Sequence, residues 1–367
     1  AAKLGHRRLK EFLEAQGADY TVSLFEEIVT RTNRRMRAAI AKLPDGTYNF
    51  SDVMDDDGAG TENILIALTI TKKDQDILFD FAASDDQVLG NFNLTFNATQ
   101  SAVCFALKAL LDPDVPNNQG IFDAIRIEAP LGSFVNCISP APVAMRANTC
   151  QRVVDVVIGA LVDALPDKVV GAANGANTSA VFTGIDPRNG QQYVYLETLG
   201  GGMGARATKD GKDGVQVNIT NTSNLPIEAI EMEYPLRVDE YALIENSGGA
   251  GTYRGGMGIR RSIRPVGHVC EFNGVGERFR NKPWGIFGGE SGAHGAFHLE
   301  DEGGEKTSLS SKASRVKLSP SSCVVISTPG AGGYGAPGKR EAEALTQDQL
   351  SGKYTKAFMA KHYAKKD

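Results

Sequence analysis

Apolar residues recur every three or four positions through the first forty residues. Leu9, Phe12 and Leu13 mark one face of a helix over 7–17. Val22, Phe25, Ile28, Val29, Met36, Ile40 and Leu43 mark the face of a second over 20–43, with Arg34, Arg35 and Arg37 on its outer side. Pro44-Asp45-Gly46 stops that helix. The period then falls to two. Ile64, Ile66, Leu68 and Ile70 recur at every second position, as do Ile77, Phe79 and Phe81 after Thr71-Lys72-Lys73-Asp74, which predicts a β-hairpin. Helical spacing returns over 100–111, with Asn97 or Thr99 as N-cap. It returns again over 150–165, where Val153, Val154, Val157, Leu161 and Leu165 form a buried face and Pro166 ends the run. Between these two helices, Ile125-Arg126-Ile127 reads as a strand in a proline-rich stretch. A second hairpin joins 180–184 to 193–197 through the turn at 186–190. Residues 258–275 and 296–327 read as short antiparallel strands. Residues 341–367 read as a charged helical pair anchored by Tyr354, Phe358, Met359 and Tyr363, docked on another chain or on the body.

These elements predict an α+β fold, with mixed, glycine-rich β-sheets, flanking helices and several domains. The divisions expected are a helical hairpin (1–46), an α+β domain (47–235), a glycine-rich, mostly-β domain (236–340) and a helical tail (341–367). Length alone allows two or three domains with a large core. Glycine changes the picture most: 41 of 367 residues, against about 7% in ordinary proteins. One cluster holds Gly200, Gly201, Gly202 and Gly204, and another holds Gly248, Gly249, Gly251, Gly255, Gly256 and Gly258. Glycine costs backbone entropy and persists where the chain takes positive φ or admits close approach. The two clusters predict a site wall, a tight subunit seam, or hairpin turns in a glycine-rich β fold.

Net charge is −5, and no Lys/Arg run is paired with aromatics, which argues against a nucleic-acid surface. Five scattered cysteines without a CxxC fit reduced, mostly buried thiols in a cytoplasmic protein. No apolar run reaches bilayer length, and no signal peptide is expected. The chain opens on Ala and enters a helical pattern almost at once, which suggests a processing site or a piece of a longer protein.

Candidate chemistry gathers at strand ends. Glu197 lands at the end of a strand beside the first glycine cluster, an address suited to a catalytic or orienting carboxylate; pairing with Arg206 or capping a loop is the structural alternative. Thr220-Asn221-Thr222-Ser223-Asn224 supplies amides and hydroxyls between the clusters, and Arg254 can aim its planar fork at a carboxylate or phosphate. Asp80 sits opposite the apolar face of its strand, ahead of the polar run holding Asn91 and Asn93. That run leads toward a helix N-terminus, where free N–H groups hold anions; a capped loop is the alternative. Asp55-Asp56-Asp57 could attract a divalent cation but lacks the spacing of a calcium loop, so a solvated turn is expected. His294 and His298 are flanked by glycines and are not read as ligands. The run 329–335 lacks the GK[ST] of a phosphate loop. Trp284, the only tryptophan, is placed in the core or in a substrate-proximal or interface loop.

The ordered blocks GGGMGA, DG, TNTSNLPIEAIE, YPL and NSGGAGTYRGGMG resemble the hydantoinase B/oxoprolinase family, and the similarity runs from about Arg7 to about Arg340. The resemblance implies a component of an ATP-dependent enzyme that opens small cyclic amides such as hydantoin, 5-oxoproline or a lactam. It also implies a hydantoinase A-type partner that binds ATP and phosphorylates the amide oxygen. Related members carboxylate acetone or acetophenone, and a non-catalytic scaffold is a third reading. Within that expectation, the residues singled out above place catalysis at Glu197 and Asp80, and substrate contact at Asn91, Asn93, Gly201, Gly202, Asn221, Thr222 and Arg254. Family members carry paired His and Asp residues N-terminal to the matched region, so a divalent metal is expected in the complex with ligands outside this chain. The N-terminal half would then be a separate chain or fragment, and the first helix is expected to pack on another chain. Family histidines before the TNT block are replaced by Gln216 and Asn218, which puts a general base there in doubt.

Overall fold

The structure is a computed structural model describing residues 1–364. The helical pair forms as the spacing predicts, as α1 (Ala2–Gln16) and α2 (Ala18–Ile40). The expected apolar face is only partly used. Met36, Ile40 and Leu43 enter the core, but α1 buries no residue, and Leu9, Phe12, Val22, Phe25 and Ile28 are exposed. No element among the described residues covers that half of the face.

The first sheet holds β1 (Gly46–Asp56), β2 (Glu62–Lys73), β3 (Asp76–Asp80) and, beyond α3 (Phe96–Leu111) and α4 (Gln119–Phe122), the short β4 (Arg126–Glu128). β2 and β3 are the predicted hairpin. β1 is an addition: it pairs antiparallel with β2 along its whole length. Its alternation runs Tyr48, Phe50, Asp52, Met54, so a carboxylate interrupts the apolar series and hides the period. α3 starts one turn earlier than expected. Thr95 holds the cap position without a side-chain bond, Asn97 and Thr99 lie inside the helix, and the Thr99 hydroxyl donates to the Val135 carbonyl at 2.5 Å. α5 (Arg146–Ala160) packs with α3 on this sheet, and Ile64, Ile66, Phe79, Val103, Leu107, Val153 and Val157 share one apolar core.

The second and third sheets form from the remaining strands: β5 (Thr178–Ile185), β6 (Gln192–Leu199), β7 (Leu236–Leu243), β8 (Ile259–Pro265), β9 (Cys270–Val275), β10 (Ala296–Glu300), β11 (Lys306–Leu309), β12 (Lys312–Leu318) and β13 (Cys323–Ser327). Their orders are β11-β10-β13-β8-β7 and β12-β9-β5-β6. Phe182, Tyr195 and Phe272 of one meet Ile263, Phe297 and Ile326 of the other in a second core. Because β5 bonds to β9, a sheet crosses the 235/236 division expected from the sequence. α6 (Ile227–Glu233) follows Pro226 and is too short for periodicity to reveal.

Backbone packs on backbone through the glycine clusters. Ala331 N–H donates to Gly256 O, Gly256 N–H to Met203 O, and Gly249 N–H to Ala331 O. A Cβ on Gly256 would lie 1.9 Å from the Lys212 carbonyl oxygen, and one on Gly204 would lie 1.8 Å from that of Gly171. Neither takes a positive φ, so close approach and not turn geometry requires glycine here. The clusters therefore touch, and no ligand fits between them. The tail, α7 (Ala342–Leu350) and α8 (Lys356–His362), docks on this lattice, with the Tyr354 hydroxyl donating to Gly248 O at 2.9 Å.

Candidate functional site

Residues 148, 151 and 155 of α5 stand three and four apart and share one face. Asn148, Gln151 and Asp155 are all buried there. The backbone N–H of Asn177, just before β5, donates to Asn148 Oδ1 at 2.7 Å. Gln151 Nε2 donates to Thr220 Oγ1 at 2.7 Å and to the Val217 carbonyl at 3.0 Å, and the Thr220 hydroxyl donates to Asn177 Oδ1 at 2.6 Å. Asn218, at φ 49°, reaches Asp155 Oδ1 at 3.3 Å. Gln151 Oε1 and Thr178 Oγ1 are buried without a partner among the described residues. This amide and hydroxyl cluster underlies the loop that carries Asn221 and Thr222, both exposed. Part of the cluster was readable as a signal: Asn148, Gln151, Arg152 and Asp155 are polar positions on a helix that carries four valines and is buried along most of its length.

Glu197 supports the same loop from β6. Its Oε1 accepts from the Leu225 N–H at 3.2 Å, and its Oε2 accepts from the Tyr195 hydroxyl and Arg261 Nη1. It is 6% exposed, and Arg261 is fully buried with its guanidinium 4.2 Å from the Tyr241 ring centroid. Both oxygens of the expected catalytic carboxylate are thus engaged by the protein, and its ionic partner is Arg261, not Arg206. Burial, then the bond to Glu197, push the Tyr195 phenol well up.

The other expected residues divide into groups. Gly201 and Gly202 adjoin the cluster: Gly201 exchanges backbone bonds with Val215, and Gly202 O accepts from the N–H and Nδ2 of Asn174. Asn91 is one step away, its carbonyl accepting from Met145 N–H at the start of α5. Asn93 is a buried staple, with its side chain bonded to Val88, Gly90 and Pro142 backbone. Asp80 lies in the first sheet and caps the Ala82 N–H, so it is not brought to Glu197. Arg254 faces the tail and is held by Asp213 at 2.7 Å and Asp348 at 3.0 Å.

The three adjacent aspartates are not a solvated turn. Asp55 accepts from the backbone N–H groups of Phe279, Arg280 and Asn281, Asp57 from those of Ala59, Thr61 and Gly90, and Asp56 from Gly58 N–H and the Ser311 hydroxyl. With their oxygens so occupied and Lys312 Nζ 3.8 Å from Asp56, these carboxylates do not fit a metal. Among the described residues no group of three or more His, Cys, Asp or Glu comes together to hold one. The 329–335 run is equally unsuited to phosphate, since its N–H groups are spent on the lattice. Nearby, Arg278 joins Asp52 at 2.8 Å to Asp155 at 3.0 Å. Burial pushes the Asp52 carboxyl up, but Arg278 and Arg152 outweigh it and hold it at about 2. For Asp155 burial wins, and its carboxyl is raised.

No helix among the described residues is long and apolar enough to cross a membrane. In sequence the chain is 34% identical over 97% of its length to a putative D-/L-hydantoinase B subunit of Pseudomonas sp. (strain NS671), of which it spans 62%. It is 42% identical over 78% of its length to an uncharacterised protein of Methanocaldococcus jannaschii, of which it spans 49%. In structure it is similar to the ATP-dependent caprolactamase of Pseudomonas jessenii, with a TM-score of 0.89 at 24% identity over 98% of this chain and 64% of that one. An acetone carboxylase shares the fold at a TM-score of 0.84 and 17% identity, over 97% of this chain and 54% of that one. The sequence profile of the hydantoinase B/oxoprolinase family matches residues 1–337, and the chain belongs to that family.

Proposed function

We propose that this chain is part of the hydantoinase B-type component of an ATP-dependent cyclic-amide hydrolase, working with an A-type component that binds ATP and activates the substrate. The extent of its likeness to a putative hydantoinase of the same type carries the reading. The acetone carboxylase likeness speaks for the fold alone.

In this reading Asn221 and Thr222 contact the substrate ring. An exposed amide and hydroxyl match the paired donor and acceptor of a cyclic amide. Gln151, Asn177 and Thr220 fix the loop from beneath, and Glu197 is a positioning residue that ties Leu225 to Arg261. Ring opening consumes the O-phosphorylated amide: water adds to the acyl carbon, the C–N bond breaks as protons pass to the departing nitrogen, and a second water releases the phosphoryl group as inorganic phosphate. That step needs a base. Glu197 has both oxygens engaged and Asp80 lies in the first sheet, away from this loop, so the base is assigned to the rest of the assembly, which relatives have the length to supply. The test is to purify the complex and supply ATP with hydantoin, 5-oxoproline or caprolactam, and separately with acetone plus bicarbonate. ATP-dependent opening of a ring supports the proposal; turnover of acetone alone, or of nothing, overturns it.

A further inference from the structure

A cavity of about 570 Å³ opens between the outer edge of the first sheet, the end of α5 and the loop after Arg278. Its walls include Tyr48, Phe50, Trp284 and Phe287, with Val162 and the exposed carboxylate of Asp163. Among the described residues, no Lys, Arg or His lines it. The volume suits a small molecule.

The aromatic rings are held before any ligand arrives. Trp284 Nε1 donates to Asp52 Oδ2 at 3.1 Å, and Asp52 is itself fixed by Arg278. Phe50 meets Trp284 edge-on at 5.0 Å, and a Cβ on Gly159 would come within 2.6 Å of the Phe50 ring. The Tyr48 hydroxyl donates to the Pro44 carbonyl at 2.7 Å. Phe287 takes φ 52°, a conformation bulky residues avoid, yet it remains 43% exposed. Its ring rests on Tyr334, at 5.2 Å between centroids, whose hydroxyl is tied to the Pro166 carbonyl. A tight turn, closed by the Gly289 N–H donating to the Ile286 carbonyl with Gly288 at φ 87°, sets this φ and holds the ring at the cavity wall.

We propose that this cavity binds a small organic cation of the alkylammonium class. Aromatic faces carry negative potential and attract such cations, most strongly at Trp. Asp163 supplies the counter-charge, and the lack of basic lining residues removes competition. The inference is independent of the cyclic-amide reading.

Trp284 is the only tryptophan in the chain, so its fluorescence reports on this cavity directly. The purified protein is titrated with choline, with its neutral isostere 3,3-dimethylbutan-1-ol, and with an arginine-containing tripeptide. The expected result is a saturable change with choline, and binding of the neutral compound weaker by roughly tenfold or more. Asp163→Asn, at an exposed side chain, should abolish the preference while leaving the melting curve in place, and Phe287→Ala should weaken choline binding. No saturable change, equal binding of the neutral isostere, an unaltered preference in Asp163→Asn, or binding of the tripeptide alone would each overturn the proposal.

Discussion

Arg261, fully buried beside Tyr241, donates to the carboxylate of Glu197 at the end of β6. The pair binds the second sheet to the third and, through Leu225, fixes the loop bearing Asn221 and Thr222. Arg261 Nε and Nη2 have no hydrogen-bond partner among the described residues, so Glu197, bonded to Nη1, is its chief compensation.

Glu197→Gln therefore leaves a buried guanidinium without its counter-charge. The expected loss is about 3–5 kcal/mol of stability, measured by urea unfolding. Combining it with Arg261→Met should recover much of that loss. A near-neutral single substitution would show that the pair does not bind the sheets.

The glycine lattice gives a sharper steric contrast. Gly256→Ala places a methyl 1.9 Å from a carbonyl oxygen, while a Cβ on Gly338 meets nothing within 4 Å. Gly256→Ala should cost about 3 kcal/mol or prevent folding, and Gly338→Ala should change stability by less than about 0.5 kcal/mol. Thermal melts of the two variants provide the comparison.

Much of the secondary structure was legible because periodicity is local. The β2–β3 and β5–β6 hairpins and the helix α2 stand within a few residues of their sequence expectations, while α1 and α3 start about a turn or more early and α5 is displaced by about a turn, ending at Ala160 and not at Pro166. β1 was not legible, because Asp52 occupies an inward position and its partners Arg152 and Arg278 lie far along the chain. The same holds for the candidate site. Glu197 and Arg254 stood out as charged residues beside glycines, but which cation or carboxylate meets them is fixed by sheet pairing and tail docking. Spacing on α5 could have offered Asn148, Gln151 and Asp155, but not the Asn177 and Thr220 that complete the cluster.

Asp348 is shared by Arg254 at 3.0 Å and Arg340 at 2.6 Å, and Arg340 also holds Asp210 at 2.7 Å. Asp348→Asn should leave two buried guanidinium groups short of charge and loosen α7 and α8 by about 3 kcal/mol. Limited proteolysis should then cut within 341–364 well before the body of the protein. Equal resistance of variant and parent would contradict the clasp.

Acid should weaken the core through Asp52. Its carboxyl is held at about 2 in the fold, against an ordinary value of 3.8. A depressed carboxyl contributes stability above the unfolded value and loses it as pH falls through the folded one. The window is thus from about pH 4 to about pH 2, and the contribution is about 2 kcal/mol. Urea unfolding across that window should show the decline, and Asp52→Asn should be less stable at neutral pH and flatter below it.

The most direct measurement concerns the exposed loop. Asn221→Ala and Thr222→Ala, alone and together, are introduced into the complex with its ATP-binding partner, and ATP-dependent ring opening is followed. Both side chains are exposed, so assembly and melting temperature should be unchanged. The account predicts a fall in kcat/KM of roughly tenfold or more in the double variant, the effect of losing two substrate hydrogen bonds. Full turnover by the double variant would contradict it.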